Sequence, residues 1–271
     1  MIIDAHQHFW RIGDNDCRWP TPDLGAIYRD FGPADLEREI APAGVAGAVL
    51  VQSQESDRDT DWLLEIAEST PFVRGVVGWV DLKAPSAPER IAALASRAKL
   101  CGLRPMLQGL PADWILDPGV EPAIGAMERN GLCFDALVYT RHLPALREFA
   151  QRHPNLPIVI DHCAKPPIAA NAFARWSTEM AALARLPNVW CKLSGLLTEA
   201  AADQPRTALR PYIEHTVAAF GERLMWGSDW PVLKLAGNYG EWLDLAREMS
   251  RLRGAALERL LCGAAQAFYR L

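Results

Sequence analysis

The chain has 271 residues, of which 50% are hydrophobic and 23% charged, and its net charge is −5. This is close to the globular average, which excludes a disordered or fibrous chain, and an acidic balance with no dense Lys/Arg run excludes a polybasic nucleic-acid binder. Mean hydropathy is −0.04, and no apolar run approaches the length of a bilayer span, so no membrane partner is expected.

From the N-terminus onward, short runs rich in β-branched, leucine or aromatic residues predict strands at Ile2–His6, Gly47–Gln52, Val73–Val80, Gly102–Leu107, Leu132–Val138, Ile158–Asp161, Val189–Leu193 and Leu224–Trp226. Helical segments alternate with them at Pro33–Ala43, Asp59–Ser69, Pro88–Lys99, Val120–Asn130, His142–His153, Ala172–Ala184, Thr207–Phe220 and Tyr239–Ser250. Pro33 and Pro88 suit a first helical turn, and Gly44 and Gly131 follow two predicted C-termini. Eight strands alternating with eight helices, in a chain near the ~250 residues typical of the fold, predict a distorted (β/α)8 TIM barrel. One domain spanning 1–271 is expected. An open doubly wound sheet shares the alternation but would follow its first strand with a glycine-rich phosphate turn, whereas this strand runs into HQHFW. The long segment from Phe9 to Phe31 follows strand one and is a candidate lid over the C-terminal face of the barrel. The opening Met-Ile-Ile-Asp has no basic segment, and the six cysteines are scattered without a CxxC pair. Both features lead to the expectation of a cytoplasmic protein with reduced thiols.

Three places carry chemistry. His6 and His8 are two apart on an extended segment, so alternation points both into the barrel, as a metal-binding or proton-handling pair. At the end of strand six, alternation places His162 on the face of Ile158 and Ile160, and Asp161 on the opposite face as a helix cap or loop acceptor. Asp229 follows strand eight, which pairs with strand one in a closed barrel, so it is expected to approach His6 and His8. A carboxylate there can ligate a metal, orient a water or act as a general base.

HQHFW, the IDH–AKP segment, KLSG at Lys192–Gly195 and GSDWP together resemble the metal-dependent hydrolases of the amidohydrolase superfamily. The similarity is greatest to the sugar-lactone lactonases, with the pyrone-dicarboxylate lactonases more distant. It extends along the chain through QSQ at Gln52–Gln54, GWVDL at Gly78–Leu82 and GLRPMLQ at Gly102–Gln108. Binuclear members resemble one another in a Lys or Glu near the end of strand four and histidines after strands five and six. Here strand four offers Arg104, Met106 and Gln108, and strand five offers Asp135 and Tyr139; His142 starts the next helix as a surface or capping residue. The resemblance therefore implies at most one divalent ion, held by His6, His8 and Asp229 with His162 as a candidate fourth ligand, and zinc suits that set. No organic cofactor is expected.

The implied reaction opens a sugar-acid lactone, L-fuconolactone or a close relative, to the free aldonate. Asp229 is the candidate base, and His6, His8 and His162 hold the carbonyl oxygen as donors or through the ion. Candidate contacts to the sugar are Arg104, Gln52, Gln54, Trp79, Asp81, Gln108, Tyr139 and Lys165. Lys192 reads equally as a substrate contact or as part of a salt-bridged interior layer, and Trp10, Trp19, Trp114 and Trp230 are candidate apolar walls. The alternatives are a single-metal decarboxylase of aromatic acids on the same scaffold and a non-catalytic barrel that senses a sugar.

Overall fold

The strands β1(Ile2–Gln7), β2(Val45–Val51), β3(Val73–Gly78), β4(Leu100–Leu103), β5(Cys133–Ala136), β6(Ile158–Ile160), β7(Val189–Leu193) and β8(Leu224–Trp226) pair in parallel in chain order. They come from a computed structural model that describes residues 1–271. The connecting helices are α1(Pro33–Ala43), α2(Asp57–Ser69), α3(Ala87–Ala95), α4(Glu121–Arg129), α5(Leu143–Arg152), α6(Phe173–Leu183), α7(Arg210–Phe220) and α8(Tyr239–Ser250). The (β/α)8 expectation holds. No helix is long and apolar enough to cross a membrane.

Local chemistry sets many of the boundaries. Pro33 opens α1, and Gly44 closes it at φ 68°, a left-handed conformation that glycine adopts without a Cβ clash. Ser56 caps α2 by accepting from the N–H groups of Arg58 and Asp59. β4 ends at Leu103, short of the predicted Leu107, because Pro105 has no N–H for a ladder and the chain turns into a short 3-10 segment at Leu107–Gly109. The C-terminal segment was not predicted as structure. It forms α9(Gly254–Glu258), a π-helical turn at Arg259–Gly263 and α10(Ala264–Tyr269).

That terminal segment closes the floor of the barrel. Ile3, Ala5, Val49, Val51, Val77, Cys133, Val159 and Met225 belong to six different strands yet form one buried cluster with Phe268 and Tyr269 of α10, which marks the barrel interior. A larger cluster of 67 residues, including Leu50, Phe134, Ile158, Ile160 and Trp226, packs the outer face of the strands against the helices. The two clusters identify which side of each strand faces in.

Barrel closure differs from the other seven pairings. In place of a ladder, β8 and β1 are joined beyond their ends by an isolated bridge between Gln7 and Trp230. The Asp229 N–H donates to His6 O, and the His8 N–H to Trp230 O, each at 2.8 Å.

Two stability predictions arise here. Phe268 is 3% exposed against Trp190 and Tyr269, so Phe268→Ala should cost about 3–5 kcal/mol, seen as a lower urea midpoint with unchanged slope. Asp59 is 1% exposed with Oδ2 unpartnered, and burial pushes its carboxyl up to about 7. A folded-state value above the unfolded ~3.9 means that stability present at acid pH is lost as pH rises through 7. Asp59→Asn should therefore raise the urea midpoint relative to wild type at pH 8 and much less at pH 5.

Candidate active site

β1 reaches the site through an irregularity. Ile3 and Ala5 face the interior, so strict alternation would turn Gln7 inward and His6 outward. Pairing with β2 advances from Asp4↔Ala48 to Gln7↔Leu50, three residues against two. The extra residue is a β-bulge, and it turns His6 into the barrel with His8. Asp4, left facing the helices, accepts from Ser228 N at 2.8 Å, Ser228 Oγ at 2.6 Å and Tyr239 Oη at 2.9 Å. Gly227 completes the fit, because a Cβ there would lie 2.8 Å from His6 Cβ.

β6 corrects the face assignment. Ile158 and Ile160 face the helices and Val159 the interior, so the inward position after the strand belongs to Asp161. Asp161 is not a cap: it is fully buried, with Oδ1 3.0 Å from Lys192 Nζ and Oδ2 accepting from Arg104 at 3.3 Å. His162 reaches the mouth by another route. The chain from His162 to Lys165 runs through four consecutive positive φ values of 46–61°, a costly conformation for non-glycine residues that swings the imidazole over the interior. His162 Nδ1 sits 2.9 Å from Ser194 Oγ, and Gly195 leaves room where a Cβ would lie 2.7 Å from the ring.

These turns gather the predicted set. His6 Nε2 is 3.2 Å from His8 Nε2, and Asp229 Oδ1 lies 3.3 Å from His8 Nε2 and 3.8 Å from Nε2 of both His6 and His162. All four side chains are buried. Burial acts to raise the Asp229 carboxyl, but the surrounding His162, His8 and His6 outweigh it and hold Asp229 well below the usual carboxylate range. Burial lowers His162 to about 4, and burial with the Lys192 ammonium holds His6 well below its ordinary value. The arrangement sets one ionised carboxylate beside the neutral imidazoles of His6 and His162. His6, His8 and Asp229 present two ring nitrogens and a carboxylate oxygen to one point, a donor set that fits a divalent ion.

Beneath them lies an ionic layer. Lys192 Nζ donates to Asp135 Oδ2 at 2.6 Å, and Tyr269 Oη donates to the same oxygen at 2.6 Å. Lys192 is therefore an interior residue rather than a wall of the cavity. The interior alternative for Lys192 thus holds, and its partner is signalled in the same way: LCFDALV and VWCKL each put one charge inside an apolar run, which needs a buried partner.

Above the histidines is a cavity of about 270 Å³ whose walls include His8, Trp19, Arg104, Gln108, His162, Lys165 and Asp229. Arg104 and Lys165 thus face it as expected. Gln52 does not: its Nε2 donates to Arg104 O at 2.8 Å, and Arg104 Nη2 donates back to Gln52 O. Tyr139 stands behind Lys165, whose Nζ lies 5.6 Å from its ring centre. Trp79 lines an outer hollow of about 630 Å³ that shares Trp19, Ser53 and Met106 with the inner one. Gln54 holds the Phe9–Phe31 segment: its Oε1 accepts from Arg18 N at 3.0 Å, and its Nε2 donates to Trp19 O at 2.7 Å. Of the four tryptophans weighed as walls, Trp19 borders the inner cavity. His142 caps its turn as expected, with Nδ1 accepting from Tyr139 N at 3.0 Å, but it is buried rather than at the surface.

Gly227→Ala would set a methyl 2.8 Å from His6 Cβ and 3.0 Å from its backbone N, so it should displace His6 and cost about 1–3 kcal/mol by overpacking. A loss of about 10²-fold in kcat/KM with a lowered melting temperature is the expected outcome, the kinetic part being the usual effect of misplacing a group by about 1 Å.

Residues 3–271 match the family model described as amidohydrolase. Over 276 aligned residues the chain is 52% identical to an L-fucono-1,5-lactonase of Burkholderia ambifaria, covering 99% of this chain and 95% of that one. It is 36% identical over 275 residues to an L-fucono-1,5-lactonase of Burkholderia multivorans, with 96% and 92% covered. The crystal structure of an amidohydrolase from Burkholderia multivorans with bound zinc superposes at a TM-score of 0.94 and 36% identity, over 100% of this chain and 99% of that chain. By the extent of these matches, and with the barrel and its His-x-His strand in place, the chain belongs to the amidohydrolase family.

Proposed function

We propose that this protein hydrolyses a sugar-acid lactone, with L-fucono-1,5-lactone as the leading substrate. The observation that carries the proposal is a single ionised carboxylate, Asp229, set beside His6, His8 and His162 on the wall of a cavity of about 270 Å³. A space of that size suits one small polar ring. Its cationic walls, Arg104 and Lys165, suit a reaction whose product gains a carboxylate.

The chemistry follows from these groups. A water between Asp229 and the lactone carbonyl gives its proton to Asp229 as its oxygen adds to the carbon. The carbonyl becomes a tetrahedral oxyanion, stabilised by donors on the cavity wall, with Arg104 the fixed cation among them. Collapse breaks the ring C–O bond, and protonated Asp229 returns its proton to the departing ring oxygen. Atoms balance as lactone plus water giving a hydroxy acid. One divalent ion, zinc by ligand type, would be held by His6, His8 and Asp229, and when bound it supplies Lewis-acid polarisation of the carbonyl.

Asp229→Asn keeps the shape and removes the proton acceptor, so kcat should fall by roughly 10²–10⁴-fold while KM moves less. A pH-indicator assay across stereoisomeric aldonolactones measures both. Near-wild-type turnover in the variant would remove Asp229 from the mechanism. Wild-type protein inert on every aldonolactone but releasing carbon dioxide from an aromatic acid would move the assignment to the decarboxylases.

A further inference from the structure

The surroundings of His6 determine more than the place of its ring. Lys192 Nζ lies 3.1 Å from His6 Nδ1. An ammonium has three N–H bonds and no lone pair, so at that contact the ring nitrogen must offer its lone pair. We propose that Lys192 is a positioning residue that decides which nitrogen of His6 carries the proton, and through it how readily the His6–His8–Asp229 cluster takes a divalent cation.

The neutral ring has one proton, and with Nδ1 occupied as acceptor it belongs to Nε2. His6 Nε2 faces His8 Nε2 at 3.2 Å. On the far side of His8, Nδ1 lies 2.8 Å from the Val51 carbonyl, which can only accept. His8 therefore holds its proton on Nδ1 and turns a lone pair toward His6. The result is one directed run: Lys192 Nζ–H to His6 Nδ1, His6 Nε2–H to His8 Nε2, His8 Nδ1–H to Val51 O. Along this run every donor meets an acceptor, and the contact it leaves without a proton is His8 Nε2 to Asp229 Oδ1 at 3.3 Å, longer than the 2.8 Å from His8 Nδ1 to Val51 O. The other tautomer of His6 sets N–H against N–H at 3.1 Å and lone pair against lone pair at 3.2 Å.

Two further groups touch His6 and favour the other tautomer: Asp161 Oδ1, 3.4 Å from Nδ1, and Arg104 Nη1, 3.4 Å from Nε2. Both contacts are longer than those to Lys192 and His8. Both groups also have a nearer partner, Asp161 Oδ1 in Lys192 Nζ at 3.0 Å and Arg104 Nη1 in Asp161 Oδ2 at 3.3 Å. Lys192 is in turn anchored from below by Asp135, which Tyr269 of the terminal helix holds by the same oxygen.

An Nε2 that carries a proton has no lone pair for a metal. For an ion to bind through His6, the proton must move to Nδ1 facing Asp161, and the ammonium must give up its contact with the ring. Lys192 thus weakens cation binding at the cluster and keeps His6 as a hydrogen-bond donor. The inference deepens the reading of the ion site given above, but its test does not depend on turnover of any lactone.

Long-range 15N–1H NMR on metal-stripped protein with 15N-labelled histidine distinguishes protonated from bare ring nitrogens, and the signal lost in His6→Gln identifies His6 among the six histidines. The wild-type protein should show the proton on Nε2, and Lys192→Met should shift it to Nδ1. Zinc titration against a chromophoric chelator should show about tenfold tighter binding in Lys192→Met than in wild type, the low end of what groups behind a metal ligand control. If Lys192→Met does not fold, the wild-type spectrum, which requires no variant, decides the tautomer by itself. A bare Nε2 at His6 in wild type, or zinc affinity unchanged by removing the ammonium, would overturn the proposal.

Discussion

Asp4 accepts four hydrogen bonds, from His6 N, Ser228 N, Ser228 Oγ and Tyr239 Oη, and so ties the first strand to the turn after the last one. This seam is the constraint on which the candidate site depends. β8 and β1 share no ladder, and the gap between them is spanned by main-chain bonds from Asp229 to His6 and from His8 to Trp230. The bonds that close the barrel thus belong to residues of the cluster itself or next to it. His8 and Asp229 are 221 positions apart in the chain, and their side chains meet because their backbones are already joined.

Below the seam, the interior changes character from floor to mouth. Near the floor it is apolar, with strand residues packed on Phe268. Higher up it holds two cations, Lys192 and Arg104, and two carboxylates, Asp135 and Asp161, all buried. Burial alone would neutralise the carboxylates. For Asp161 the opposing pull of the Lys192 ammonium and the Arg104 guanidinium prevails and holds it well below the usual range. Buried ion pairs of this kind add little net stability, but removing one partner leaves a charge uncompensated, so the layer is fixed in composition. A rigid charged layer directly beneath the histidines orients them without the entropy cost of a mobile support.

The segment from Phe9 to Phe31 completes the mouth. Trp10 and Phe31 pair across its base, and Gln54 clamps residues 18 and 19 as a peptide unit would. Ser56 Oγ also donates to Asp16 at 2.7 Å. Trp19 is thereby held as a wall common to the inner cavity and the outer hollow. In this structure the segment is a pinned wall, and the glutamine weighed as a sugar contact is what pins it.

The sequence by itself determined the alternation of elements, hence the barrel, because strand and helix periods are local properties of the chain. α1, β7, β8 and α8 have the boundaries that their residue patterns predict. It also determined that His6, His8, His162 and Asp229 belong at the ends of strands one, six and eight, since strand ends in a barrel converge whatever lies between them. Tertiary structure decided which way side chains point where the backbone departs from regularity. Alternation applied to β1 turns His6 inward only because a bulge intervenes, and applied to the end of β6 it put Asp161 outside, whereas Asp161 and His162 both face the interior. A bulge, or a run of positive φ, is sustained by contacts from distant strands, and no local pattern encodes those contacts. The same holds for Lys192 and Asp135. Each is visible as a charge in an apolar run, but their pairing, and its reach to Tyr269 at the C-terminus, exists only once the sheet has curled far enough to bring β5, β7 and the terminal helix to one axis.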